Sequence, residues 1–182
     1  MDCGDLTLKE LIKLEREERM KIQKYDAVLD DSGKNVLVEE FSEEYTDIDN
    51  LDSPEKIVEV MEEVFGLSDK EKEYMYLICM NAGCMPVGFF EVAHGTCHAA
   101  VVGMMEIFVR TLLCGASDIV VVHNHPGGRS QPTGEDFRVT ERIREAAELL
   151  GVLFCDHIII ARDGYFSFSE EKKMGRKNEG SP

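Results

Sequence analysis

The sequence predicts an α/β fold, a sandwich built on a mixed central β-sheet. Three observations predict it. From Glu73 onward the apolar period changes from helical to strand-like. The elements then run strand, strand, helix, strand, helix, strand, strand, an order that layers helices on a sheet. One of these strands, Asp118 to Val122, is apolar nearly throughout, as expected of a strand covered on both faces.

The elements follow in chain order. Thr7-Leu8-Lys9-Glu10 reads as a capping box and predicts a helix to about Lys24. Residues 25–52 read as irregular and acidic, with a short strand at Val36-Leu37-Val38. Ser53-Pro54 is an N-cap and first-turn pair. The helix it opens should turn Ile57, Val58, Met61 and Val64 inward and stop at Gly66. Tyr74 to Met80 is a strand, Asn81-Ala82-Gly83 a turn, and Val87 to Val92 a second strand. Ala99 to Cys114 has helical spacing, with Val102, Met105, Ile107, Phe108 and Leu112 apolar and Gly115 as the stop. The Met104-Met105 pair reads as core. After the strand at 118–122 and a polar loop, a helix is expected from Glu135 to Leu150. Phe137, Val139, Ile143, Ala146, Ala147 and Leu150 mark its buried side. Val152 to Ala161 is a strand, Asp163-Gly164 a hairpin turn, and Tyr165 to Phe168 the return strand. The chain divides into an acidic N-terminal extension, residues 1–53, a domain over 54–168, and a polar tail over 169–182. Residues 1–49 are expected to be dispensable for folding of that domain.

Composition narrows the class. A chain of 182 residues with 43% hydrophobic residues builds one domain with a real core. No apolar run is long enough for a membrane span, and the N-terminus lacks the apolar stretch of a signal peptide. Six cysteines without a Cys-x-x-Cys pair read as reduced thiols of a cytoplasmic protein. The net charge of −16 is concentrated at the front, where residues 1–72 hold 22 acids and 10 bases. Such a chain repels phosphate backbones, so nonspecific nucleic-acid binding is not expected.

The loop after the apolar strand carries the chemistry. It reads His123-Asn124-His125-Pro126-Gly127-Gly128-Arg129-Ser130-Gln131-Pro132-Thr133-Gly134-Glu135-Asp136. Histidines two residues apart at a strand end point to one side of the chain. Asp136 follows at the opening of a helix, where the helix dipole keeps a carboxylate ionised. Two imidazoles and one carboxylate suit a catalytic zinc, which keeps a further position for water. Thr133-x-x-Asp136 is also a capping box, and the two readings are compatible. His157 lies in an apolar strand and reads as a hydrogen-bonded core histidine rather than a ligand. His94 and Cys97-His98 read as ordinary residues near a loop.

With these residues assembled, the string His123-x-His125-Pro126, seven residues, Thr133-x-x-Asp136 resembles the JAMM metal motif of JAB/MPN-domain metalloproteases. The His123-Asn124-His125-Pro126 wording and Asp156-His157 resemble the RadC branch most. The likeness covers residues 54–168 and includes Gly95-Thr96 and Glu73. It implies an α/β/α sandwich and a zinc ion on His123, His125 and Asp136. It also implies Glu73 as general base, with Glu71 as rival, and Thr133 as the donor that steadies the tetrahedral oxyanion. The implied activity is hydrolysis of a peptide bond, or of an isopeptide bond at the tail of a ubiquitin-like protein. A DNA-repair or replication accessory and a non-catalytic MPN scaffold are the rival readings. Three departures stand out. Thr133 takes the place of the family's usual Ser. Gly103-Met104-Met105-Glu106 replaces the RadC branch's His-Pro-Arg-Glu. Residues 1–53 lack a helix-hairpin-helix glycine pattern.

Overall fold

The computed structural model describes residues 20–95 and 103–171. Its strands are β1 (Met20–Leu29), β2 (Asn35–Tyr45), β3 (Glu73–Met80), β4 (Pro86–Gly95), β5 (Asp118–Asn124), β6 (Leu153–Ala161) and β7 (Gly164–Ser167). Its helices are α1 (Pro54–Glu63), α2 (Met104–Leu113) and α3 (Gly134–Leu150). The strands form one mixed sheet of order β2-β1-β4-β3-β5-β6-β7. β1 meets β4 and β5 meets β6 in parallel, and the other neighbours are antiparallel.

Alternation along the strands sorts their side chains into two cores. On one face Ile57, Val60 and Met61 of α1 pack with Tyr76, Ile78, Phe89, Val120, Val122, Ile158 and Ile160. On the other, Ile107 and Phe108 of α2 and Val139, Ile143 and Ala147 of α3 pack with Met75, Leu77, Phe90, Ile119 and Val121. Helices thus cover both faces, and the α/β/α sandwich with a mixed sheet is the architecture found. β5 is buried along its whole length between β3 and β6.

The helix starts and stops obey local chemistry. Ser53 caps α1 and Pro54 takes its first turn. Thr133 caps α3, and Gly151 ends it in the left-handed region at φ 70°, which costs glycine little.

The front of the chain departs from the expectation. The helix expected to about Lys24 falls on residues 1–19, outside the described residues, and on residues 20–24, which are strand. Residues 25–52 are not irregular: β1 and β2 form a long hairpin in the same sheet as the rest. The Met, Lys and Gln of β1 favour helix in isolation, but pairing with β2 and β4 overrides that local preference. Met20 and Ile22 reach the α1-side core, with Lys21 between them exposed. Asp30 closes the hairpin turn by accepting from the Ser32 and Lys34 backbone N–H groups. On β2, exposed Glu39, Glu40, Glu43 and Glu44 charge an edge strand against unwanted pairing.

Smaller corrections concern the helices and the last turn. Met105 is 74% exposed and Leu112 also faces solvent, whereas Met104 packs on the core. Phe137 and Leu150 are exposed at the two ends of α3. The hairpin turn is Arg162-Asp163, one residue earlier than expected, because Ala161 already pairs with Gly164. Residues 96–102 and 172–182, with Thr96, Cys97 and His98 among them, lie outside the described residues. No helix among the described residues is long and apolar enough to cross a membrane.

Candidate metal centre

β5 delivers His123 in the sheet, buried and on the face covered by α3. The next two residues leave the sheet in a controlled way. The His125 N–H donates to the Ile160 carbonyl at 2.9 Å, so the chain still follows β6. The Gly128 N–H then donates back to the His125 carbonyl at 3.0 Å. Gly128 has a φ of 80°, which L side chains rarely adopt. This turn swings the chain toward α3, whose first turn brings in Asp136.

His123, His125 and Asp136 come together as the sequence predicts. Their ligating atoms lie within 4.8 Å of one another, the one such group of three found among the described residues. His123 Nε2 is 3.1 Å from His125 Nε2 and 3.2 Å from Asp136 Oδ1. His125 Nε2 is 3.6 Å from Asp136 Oδ2. Zinc ligands at about 2.0–2.2 Å in a tetrahedron stand roughly 3.3 Å apart. The donor set therefore has the spacing that such an ion requires.

The outer nitrogen of His125 supports the same conclusion. Its Nδ1 lies 2.9 Å from the Arg129 carbonyl, which only accepts, so Nδ1 carries a proton. In the neutral ring Nε2 then presents a lone pair to the other two groups. Without a cation, a proton takes the central place. The Asp136 carboxylate, 3.6 Å from Nε2, raises the His125 pKa above its ordinary value, against the opposing effect of burial. Burial alone would raise Asp136, but the His123 and His125 imidazoles, 3.2 and 3.6 Å from its oxygens, and then the Thr133 hydrogen bond, outweigh it. The carboxyl is held well below the usual range.

Thr133 sits beside the ligand set as the cap of α3. Its N–H and its hydroxyl each donate to Asp136 Oδ2 at 2.6 Å, and its Oγ1 accepts from the Asp136 N–H at 3.3 Å. This is the expected capping box, and it fixes the carboxylate that faces the histidines. The single hydroxyl proton is directed at Asp136.

Glu73 opens β3 and lines the same cavity, of about 630 Å³, as His125, Thr133 and Asp136. Glu71 is exposed and is not part of that lining. The placement of Glu73 depends on Asn124, whose side chain sequence reasoning passed over. Asn124 is fully buried. Its Oδ1 accepts from the Tyr74 N–H at 2.7 Å and its Nδ2 donates to the Lys72 carbonyl at 2.9 Å. The clamp grips the backbone on both sides of Glu73. The one available signal was that a polar residue between the two candidate ligand histidines must bury its amide on the opposite face of the strand.

Other polar groups support the site from behind. His157 Nε2 lies 2.8 Å from His123 Nδ1, and Thr140 Oγ1 lies 2.6 Å from His157 Nδ1. Phe168 stacks on His157 with ring centres 5.0 Å apart. Burial, and after it His123, pushes His157 well below its ordinary pKa, so it is neutral. Asp156 accepts from the His157 and Ser169 N–H groups and from the Ser167 and Ser169 hydroxyls, tying β6 to the end of β7. His94 hydrogen-bonds Glu91 on the surface at 2.8 Å.

Comparison with known proteins agrees with this geometry. A UPF0758 protein of Thermotoga maritima is 36% identical over 126 residues, 69% of this chain and 55% of that protein. One from Alkaliphilus metalliredigens is 38% identical over 104 residues, 57% of this chain and 45% of the relative. One from Coprothermobacter proteolyticus is 28% identical over 168 residues, 91% of this chain and 69% of the relative. The chain spans about half the length of the first two. The RadC-like JAB domain family matches residues 51–174, taking in every strand from β3 to β7 and the whole ligand set. By that match, over more than half of its length, the chain belongs to the RadC-like JAB domain family.

Proposed function

We propose that this chain is a zinc-dependent hydrolase of amide bonds, acting on a peptide or on an isopeptide at the tail of a ubiquitin-like protein. The observation that carries the reading is the convergence of three electron-pair donors, at 3.1, 3.2 and 3.6 Å, two of which, His125 and Asp136, line a cavity that Glu73 also lines. His123, His125 and Asp136 would hold the ion. Zinc so held would make water acidic enough to ionise near neutral pH and would polarise the scissile carbonyl.

The chain's own groups supply the rest. Glu73 takes the proton of the attacking water and hands it to the leaving amine. Asn124 holds Glu73 by the backbone on either side. Thr133 orients Asp136. As an oxyanion donor it must first turn its hydroxyl away from the carboxylate. That commitment favours a second reading, a metal-binding domain of the RadC type that works through partners and does not turn over amides. The free thiols of Cys79, Cys84, Cys114 and Cys155 suit a cytoplasmic setting.

The test is a screen of peptides and ubiquitin-like fusions with the zinc-loaded protein and its Glu73→Gln variant. On the hydrolase reading the parent cleaves. The variant keeps its zinc and loses about 10²–10⁴-fold in turnover, while Glu71→Gln cleaves like the parent. Equal cleavage by parent and Glu73→Gln removes Glu73 from the mechanism. A zinc-loaded parent inert across the screen favours the second reading.

A further inference from the structure

We infer that His157 and Thr140, which line neither the ligand cluster nor the cavity, select the ring nitrogen through which His123 meets the metal. The inference rests on the metal reading above and deepens it. His123 is fully buried, so both of its ring nitrogens must find partners inside the protein. Nε2 faces His125 and Asp136, and Nδ1 faces His157 Nε2 at 2.8 Å. A neutral imidazole carries one ring proton, so fixing the Nδ1 partner fixes the chemistry at Nε2.

Thr140 sets that partner. It lies one helical turn after Asp136 in α3, and its hydroxyl donates to the Asp136 backbone carbonyl at 2.6 Å. With its one proton so placed, Thr140 Oγ1 can only accept from His157 Nδ1, 2.6 Å away. His157 then carries its proton on Nδ1 and offers a lone pair at Nε2. His123 answers with a proton on Nδ1 and leaves Nε2 bare for the ion. The reverse order is the one a metal site must avoid. If Thr140 donates to His157, His157 donates from Nε2. His123 is then protonated on Nε2, aimed at Asp136 Oδ1 3.2 Å away. In that arrangement a proton occupies the place of the metal. The carbonyl of Asp136 thus biases the whole line, and one residue serves the site twice, through its carboxylate and through its backbone. Stacking of Phe168 holds the His157 ring in its plane.

Ligand histidines whose second nitrogen loses its partner typically bind metal about 10–100-fold more weakly. His157→Leu removes the acceptor and is expected to lose zinc affinity in that range, measured by competition with a chelator. His157→Gln supplies a carbonyl toward His123 and an amide N–H toward Thr140, and should restore most of it. Thr140→Val removes the hydroxyl at nearly constant volume and should also lose affinity, whereas Thr140→Ser should not. Nitrogen NMR of the parent reads the protons directly: the prediction is Nδ1–H on both His123 and His157 when zinc is bound. A merely structural role would not set that signature.

Thr140→Val and His157→Leu variants that bind zinc within twofold of the parent overturn the inference, as does an Nε2–H tautomer of His157 in the loaded parent. If His157→Leu does not fold, the Thr140 pair and the NMR signature decide. A parent that takes up no zinc overturns the metal reading itself, an outcome distinct from equal binding by parent and variants.

Discussion

Ile22→Ala tests whether the hairpin of β1 and β2 belongs to the domain. Ile22 is wholly buried on the α1-side face, in the same cluster as Met20, Tyr45, Ile57, Val60 and Phe89. Truncating a buried Ile to Ala costs about 2–5 kcal/mol, from lost burial and the cavity left behind. For a domain of this size each kcal/mol shifts the melting temperature by roughly 2–4 °C, so a fall of about 4–20 °C is expected. Val38→Ala on exposed β2 is the control and should stay within about 0.5 kcal/mol. The assay is thermal and urea unfolding, followed by both circular dichroism and zinc release. A single transition shifted for both probes is the expected result. A chain starting at Asn50 would lack Met20, Ile22, Tyr45 and Ile48, each worth about 1.5–3 kcal/mol of burial. That sum rivals the net stability of a typical domain, about 5–15 kcal/mol, so such a chain should be insoluble or unfolded. An Ile22→Ala protein that melts with the parent, or a soluble zinc-binding chain from Asn50, would show the hairpin to be an accessory, as the sequence leads one to expect of residues 1–49.

Three further outcomes follow from the site. Thr133→Ala should cost about 1 kcal/mol of stability through the lost cap, read by urea unfolding. A turnover loss of about 10²-fold or more would mark the hydroxyl as an oxyanion donor instead, and Thr133→Ser should behave like the parent in both. Zinc affinity should fall with acid, because protons compete for the same nitrogens. His125 has a raised pKa in the metal-free protein, so the fall should begin above its ordinary value of 6.5 as pH is lowered. A titration flat from pH 8 to pH 6 would contradict this. Asp136→Asn replaces an anionic ligand with a neutral amide and should weaken zinc binding in a chelator competition.

The site was legible because its signals are local. A histidine pair, a Pro-Gly turn and a capping box occupy fourteen consecutive residues, and each specifies backbone as well as chemistry. The five later strands, β3 to β7, and all three described helices were legible for the same reason, through periodicity and through Ser53, Gly115, Thr133 and Gly151 at their ends. The front of the chain was not. Met20 and Ile22 are inward for only two alternations, and the Lys, Gln and Glu around them carry helical propensity. Their strand state comes from pairing with β2 and β4, contacts no local window contains. Asn124 was passed over because its task is to hold residues some fifty positions earlier, Lys72 and Tyr74. The Thr140 contact was hidden for the same reason: a threonine in mid-helix looks like any other until β6 brings His157 beside it.

The most direct measurement is the zinc content of the purified protein, set beside that of the His123→Ala, His125→Ala double variant. The metal-centre account predicts one zinc per chain in the parent, removable by chelator, and none in a folded double variant. Full zinc in the double variant, or a parent that stays metal-free in excess zinc at neutral pH, would contradict it.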